Sequence, residues 1–409
     1  MNFAEITSVR APSRALPTDT RLRPALARPP GQPGDMDTTQ PAGRSARRTK
    51  GRPGLSRVRL SSPADILAAV PHLLGFHPAQ SLVVIGAGGP RDRVKLGFRY
   101  DLPDPPHAGT ARHIAEHAAA ILAGHRATTV IAVGYGQGRL VTPVMDTFTA
   151  AARRRGLTPR ELLRVEDGRY WSYLCQDVNC CPAEGVPFDP GSHPVTAVMS
   201  AVGLAAYPDR AALARTLAPL TGERAAARDE ATGRACARAA ALVEQAARQG
   251  GNPLRLMISE GRRAVRDAIA RYRDGGAITD DDLLAWLVIS LAHLPVRDDA
   301  WARMDPPHRA AHLRLWTDLE RGAADAWVPA PAALLAFTAW QCGDGALASI
   351  AIDRALACDP GYSMALLLRD ILDAGVPPSE ARLPMTPDEV ERGYEGMPGP
   401  EPGQPGAQE

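Results

Sequence analysis

Thr129-Val130-Ile131-Ala132-Val133-Gly134-Tyr135-Gly136-Gln137-Gly138 is the stretch on which the fold turns. Its apolar opening, rich in β-branched residues, reads as a strand buried on both faces, and the alternating glycines after it read as a turn. Val141 to Arg155 follows with helical spacing, so the segment is strand, turn and helix, as in a parallel crossover. Two more apolar runs bounded by Gly or Pro come earlier, Ser81 to Ile85 and Val94 to Tyr100, with a helical pattern over Ala111 to Leu122 before Thr129. Glu161 to Val165 and Arg169 to Leu174 read as later strands. Strands alternating with helices predict a mixed, partly parallel sheet covered by helices, with Val83, Val84, Ile85, Val130 and Ile131 in its middle.

On the N-terminal side, Leu60-Ser61-Ser62-Pro63-Ala64-Asp65 carries the marks of a helix start. A hydroxyl can cap free amides, Pro63 suits the first helical position, and Asp65 opposes the helix dipole. That helix is expected to run to Gly75 with a kink or break at Pro71. On the C-terminal side, strand signals fade from Val195 onward and Ala-rich helical patterns take over, as in Ala211 to Leu217 and Arg224 to Arg248. Stops are legible at Gly250-Gly251-Asn252-Pro253 and Gly275-Gly276, and a start at Thr279 with Asp282 three residues on. Trp286, Trp301, Trp316, Trp327 and Trp340 all fall in this half and are expected at helix interfaces. The predicted fold class is thus an α/β N-terminal domain followed by an all-α helical half, with disordered N- and C-terminal tails. The expected boundaries are a basic tail over 1–57, an α/β domain over 58–220, a helical domain over 221–380 and a second tail over 381–409. Met36 offers a second start within the first tail.

The formal charge of +2 is unevenly placed, because residues 1–60 carry an excess of +8 and the rest of the chain is acidic. A basic tail can hold nucleic acid through counterion release, but no aromatic residue follows Phe3 there to stack on bases. Nucleic acid is therefore not an expected partner. No segment is apolar for the ~18 residues of a membrane span, and no apolar run of a signal peptide opens the chain. A cytoplasmic protein without a membrane partner is expected, with its six cysteines as free thiols or metal ligands.

Four constellations could carry chemistry. Cys175, Cys180, Cys181 and His193 are the donor count of a closed tetrahedral zinc site. Adjacent cysteines tend to diverge, however, and no pair spaced by two residues is present, so a polar loop with unreactive thiols, or a reversible thiol switch, competes with metal. Gly134, Gly136 and Gly138 sit where backbone amides at a helix N-terminus could cradle a phosphate. Their spacing misses the dinucleotide pattern, and a flexible turn explains them as well. Gly86-Ala87-Gly88-Gly89-Pro90 reads as a hairpin loop. His77 and Ser81 precede one strand while Arg99 and Asp101 leave the next, so His77, Ser81 and Asp101 could form a nucleophilic triad and Arg99 a ligand contact. Ser81 lacks the G-x-S-x-G elbow; turn-formers and an Arg99 ion pair to Asp101 or Asp209 are the plain reading. Lastly, Gly343-Asp344, Ala348, Ile352, Ala355-Leu356 and Asp359-Pro360, followed by a helix from Tyr362 to Leu372, match the second helix of a tetratricopeptide repeat and the start of another. The same residues suit a packed helical hairpin without an array groove.

Leu60 to Asp65 with Pro71 to Val84, Arg99 to Pro103, and the Trp171 to Gly185 stretch together resemble the actinobacterial family known as domain of unknown function 4192, over roughly residues 58 to 375. The resemblance implies a folded cytoplasmic protein and no particular activity, cofactor or catalytic residue. The expectation is a non-enzymatic binding or regulatory protein meeting another protein through its helical half. The alternative is a small-molecule or nucleotide-binding enzyme that uses the strand ends of the α/β domain.

Overall fold

A computed structural model describes residues 5–6, 58–89, 92–378 and 386–395. Eight strands form one sheet: β1 (Glu5–Ile6), β2 (Val58–Arg59), β3 (Ser81–Gly88), β4 (Arg93–Asp101), β5 (Thr129–Tyr135), β6 (Thr158–Glu166), β7 (Arg169–Ser172) and β8 (Val186–Pro187). Their order across the sheet is β2-β1-β4-β3-β5-β6-β7-β8. β3 is antiparallel to both β4 and β5, whereas β5 and β6 run parallel, joined by helix α3 (Gly138–Arg154) as the strand-turn-helix reading expects. The sheet is therefore mixed, with the parallel pair β5–β6 at its centre and a second, short parallel pairing of β1 with β4 toward one edge.

Its two faces are filled by different helices. Leu82, Val84, Val130 and Ala132 face α2 (Ala108–Gly124) and α3, meeting Ile114, Leu122, Val141 and Phe148. Val83, Ile85, Ile131 and Val133 face α1 (Pro63–Leu74) and α4 (Pro194–Ala201), meeting Ile66, Leu67, Val70 and Met199. Alternate side chains of one strand thus feed two cores, which is why these runs are continuously apolar. α1 does not break at Pro71: it continues to Leu74 and ends on Gly75 at φ +78°. Its start is a capping box, with the Ser62 hydroxyl accepting from the Asp65 N–H (3.2 Å) and the Asp65 carboxylate accepting from the Ser62 N–H (3.0 Å). Gly86 to Gly88 belong to β3 rather than to the hairpin loop. A Cβ on Gly86 would lie 2.5 Å from Leu122, so glycine there admits α2 to the sheet.

After a short helix α5 (Arg210–Arg215), nine α-helices follow among the described residues: α6 (Glu223–Arg248), α7 (Pro253–Arg273), α8 (Asp281–Leu291), α9 (Leu294–Ala302), α10 (Arg309–Gly322), α11 (Pro329–Gln341), α12 (Gly345–Cys358), α13 (Ser363–Asp373) and α14 (Pro387–Glu395). Trp286, Trp316 and Trp340 are buried among them, and Trp301 and Trp327 are half-buried against the same cores. Leu213 and Leu217 join this helical core rather than the sheet, and so does Phe76, which leads out of α1. The start of α8 falls on Asp280, which accepts from the N–H groups of Asp282 and Leu283, one residue beyond Thr279. The predicted tails lie mostly outside the described residues. Within them, Glu5–Ile6 pairs with β2 and β4, and α14 docks on α9, where the Tyr394 hydroxyl donates to Asp298 (2.6 Å) and Val390 is buried.

Candidate functional site

Register brings most of the strand-end candidates together. Ser81 lies opposite Asp101 on one side and Tyr135 on the other, and Val83 lies opposite Arg99. Opposed residues share a face, so Ser81, Arg99, Asp101 and Tyr135 share the α1 face, where β4 and β5 end. Arg99 pairs with Asp101, and its guanidinium sits 5.7 Å from the Phe76 ring centroid. Ser81 Oγ, Arg99 Nε and the Tyr135 hydroxyl are buried with no hydrogen-bond partner among the described residues. Burial pushes the Tyr135 hydroxyl far above its usual pKa. His77 is largely exposed, yet partial burial of its ring, followed by the charge of His72, lowers its pKa. A Ser81 nucleophile would need a base on its hydroxyl and access to solvent; among the described residues no group bonds its hydroxyl, and the side chain is buried.

The three glycines serve three different ends. Gly134 lies against α3, Gly136 adopts φ +135° and its N–H donates to Val165 O (2.9 Å), and Gly138 opens α3 beside the Arg164 guanidinium. Arg164 is itself committed, paired with Glu166 and stacked 3.7 Å over the Trp171 ring.

The cysteines, against the expectation from their spacing, converge: the Sγ atoms of Cys175, Cys180 and Cys181 lie within 4.8 Å of one another. Adjacency alone predicts that the Cys180 and Cys181 side chains diverge. They are brought back over Cys175 by a turn at Asp177, whose carbonyl accepts from the N–H groups of both Cys180 (3.1 Å) and Cys181 (2.7 Å), a feature with no signature in the residue spacing. The Asp177 N–H, then Cys181 and Cys180, hold the Cys175 thiol below its usual range, while burial and then its thiol neighbours push Cys181 up to about 12. His193 is elsewhere, with Nδ1 accepting from the Val195 N–H (3.3 Å) and Nε2 3.6 Å from Asp65.

A further cluster, in the helical half, left no mark in the sequence reading. Asp305 is shared by Arg273 (2.7 Å), His308 (2.6 Å) and the buried His312 (3.3 Å), beside a cavity of about 230 Å³ lined by Met304, Arg309, Phe337 and Gln341. Burial lowers His312 to about 4, so its ring is neutral at pH 7. A concave site with a few convergent polar groups is the usual form of a ligand pocket, and a helical period alone cannot say which Arg and Asp residues meet in one.

The protein combines a central mixed sheet, a long helical half and a thiol-lined loop at the sheet edge. The chain belongs to the family described as Domain of unknown function (DUF4192), whose profile matches residues 63–379. No curated protein and no solved structure matches it. Among the described residues no helix is long and apolar enough to cross a membrane.

Proposed function

We propose that the chain is a non-enzymatic binding or regulatory protein of the cytoplasm that docks another protein against its helical half. The observation that carries this reading is the end of the helical stack. α11, α12 and α13 follow one another through short turns, as in a tetratricopeptide-like hairpin, and bury Leu335, Ile352, Ala355 and Leu368 together. α13 turns two adjacent leucines outward, Leu366 at 42% and Leu367 at 47% exposure. Terminal helices of repeat arrays keep a polar outer face, so an apolar pair at the end is suited to receive an amphipathic helix of a partner. The test is a photo-crosslinking residue placed at 366 in the full chain inside the native cell. A discrete adduct with a second protein that disappears in Leu367→Asp is expected; adducts only with other copies of this chain, or none, would reject the reading.

A second reading, a small-molecule binder using the strand ends, is favoured by the three partnerless buried groups on the α1 face. Ser81→Ala and Tyr135→Phe separate it from a purely structural role. Removing a buried group that lacks a partner leaves stability unchanged or raised, whereas a ligand contact would be lost. Nucleotides and phosphorylated metabolites should raise the Tm of the parent and not of the double variant.

A further inference from the structure

The loop between β7 and β8 is folded without a core of its own. Among residues 173–185 only Gly185 is buried, against the Trp171 ring, while Val178 is 72% exposed. What shapes the loop is local. Ser172 Oγ accepts from the N–H groups of Leu174 and Cys175 (3.2 Å each), and Asp177 Oδ1 accepts from the Asn179 N–H (2.9 Å). The Trp171 indole N–H donates to Ala183 O (2.9 Å), and the Arg169 guanidinium donates to Gly185 O (2.8 Å). These bonds tie the two ends of the loop to β7 and leave its tip, residues 175–181, closed around sulfur. Ordering such a tip costs backbone entropy at every residue, and almost no apolar surface is buried there to offset it. A cross-link through the tip supplies what packing does not.

The sulfur geometry fits a metal cross-link. Zinc–thiolate bonds of ~2.3 Å place the sulfurs of a tetrahedral site about 3.8 Å apart. The Cys175, Cys180 and Cys181 sulfurs, at no more than 4.8 Å, need close by only about 1 Å to share one ion. The fourth ligand expected from the sequence, His193, stands beside Asp65, so the described residues supply three donors.

We propose that Cys175, Cys180 and Cys181 bind one soft d10 cation, zinc foremost, as a three-thiolate centre whose fourth position is open to a small exogenous ligand. Binding converts three thiols to thiolates and releases their protons to solvent, so affinity falls as pH falls. The centre lies at the far edge of the sheet from β1 and does not rest on the docking role of the helical half.

The experiment uses the full chain without a histidine tag, purified under reducing conditions, with zinc measured by mass spectrometry and cobalt as the spectroscopic probe. About one equivalent of zinc is expected, falling below about half an equivalent in Cys175→Ser, Cys180→Ser and Cys181→Ser alike. Cys236→Ser, at an exposed position on α6, should keep it. Cobalt loading should give a thiolate-to-metal charge-transfer band, and adding imidazole should shift the ligand-field bands, because one coordination position is free. Because the parent protein is itself measured, a variant that fails to fold does not decide the question. The proposal falls if the parent holds under about half an equivalent of either metal after reconstitution. It falls equally if Cys181→Ser binds as the parent does, or if the cysteines are recovered as a disulfide. Ligand-field bands indifferent to imidazole would overturn the open fourth position.

Discussion

Gly134 and Val141 touch so closely that a Cβ on Gly134 would stand 2.1 Å from Val141 Cγ1. The first glycine of the Gly-x-Gly-x-Gly turn is thus a packing residue, through which α3 reaches β5, and not part of a bare amide cradle. Gly134→Ala should destabilise the fold by roughly 1–3 kcal/mol, the usual cost of overfilling a packed core. Val141→Ala, alone destabilising, should restore part of that loss when combined with it. Urea denaturation of the four proteins checks this; strict additivity of the two changes would show that the contact is not the cause.

Asp299 is fully buried between two arginines, with Arg266 (2.9 and 3.2 Å) and Arg303 (2.8 and 3.0 Å) each bonded through two nitrogens. Burial acts to raise its pKa, but the two guanidiniums outweigh this and hold the carboxyl below its usual range. Asp299→Ala leaves two cations facing a void, and should cost roughly 3–5 kcal/mol. Asp353 also bonds two arginines, Arg210 (2.9 Å) and Arg369 (2.5 Å), but it is 47% exposed, so Asp353→Ala should cost under about 1 kcal/mol. Equal losses in thermal or urea unfolding would mean that burial is not what separates them.

Asp65 joins two helix starts, since it closes the capping box of α1 and faces His193, the N-cap of α4. Ser62→Ala should cost about 1 kcal/mol, a typical cap. Asp65→Ala should cost more, because the N–H groups of both Ser61 (2.6 Å) and Ser62 (3.0 Å) lose their acceptor. Unfolding of the two variants side by side is the check, and a smaller loss for Asp65→Ala would contradict it.

The sheet was legible because β3 and β5 bury both faces, which writes an unbroken apolar run such as Leu82 to Ile85 or Val130 to Val133. Helix ends were legible where a cap residue or glycine punctuates them, as at Ser62, Gly75 and Asn252. What could not be read was convergence. Cys175, Cys180 and Cys181 meet through a turn set by one carbonyl, which has no residue signature, and Arg266 reaches the i,i+4 pair of Asp299 and Arg303 only because α7 packs on α9. In an Arg-rich helix a residue that will be buried has the same spelling as one that will face water. Ser81 and Tyr135 had to await the register of β3 and β5, which apolar periodicity leaves open.

His312 and Glu320, two turns apart on α10, are both buried and titrate in opposite senses. Burial lowers His312 from 6.5 to about 4, despite the bond to Asp305. Burial raises Glu320 from 4.5 to about 7, although Arg354 Nε lies 3.4 Å from its carboxylate. Below pH 6.5 the unfolded chain protonates His312 and the native protein does not, so stability from this group is present above 6.5 and lost as pH falls toward 4. Above pH 4.5 the unfolded chain ionises Glu320 while the native protein keeps its proton, so that group's stability is present below 4.5 and lost as pH rises toward 7. Each slope amounts to roughly 3 kcal/mol across its window, at 1.36 kcal/mol per unit. The two windows overlap, and the parent protein should therefore hold nearly constant stability from these groups between pH 4.5 and 6.5. Replacing either residue uncovers the other: Glu320→Gln should lose stability steadily as pH falls from 6.5 to 4, and His312→Asn should lose it as pH rises from 4.5 to 7. Urea midpoints across that range, referred to the parent, supply the measurement, and parallel profiles for the two variants would show that the α10 interior does not hold these groups in the protonation states argued here.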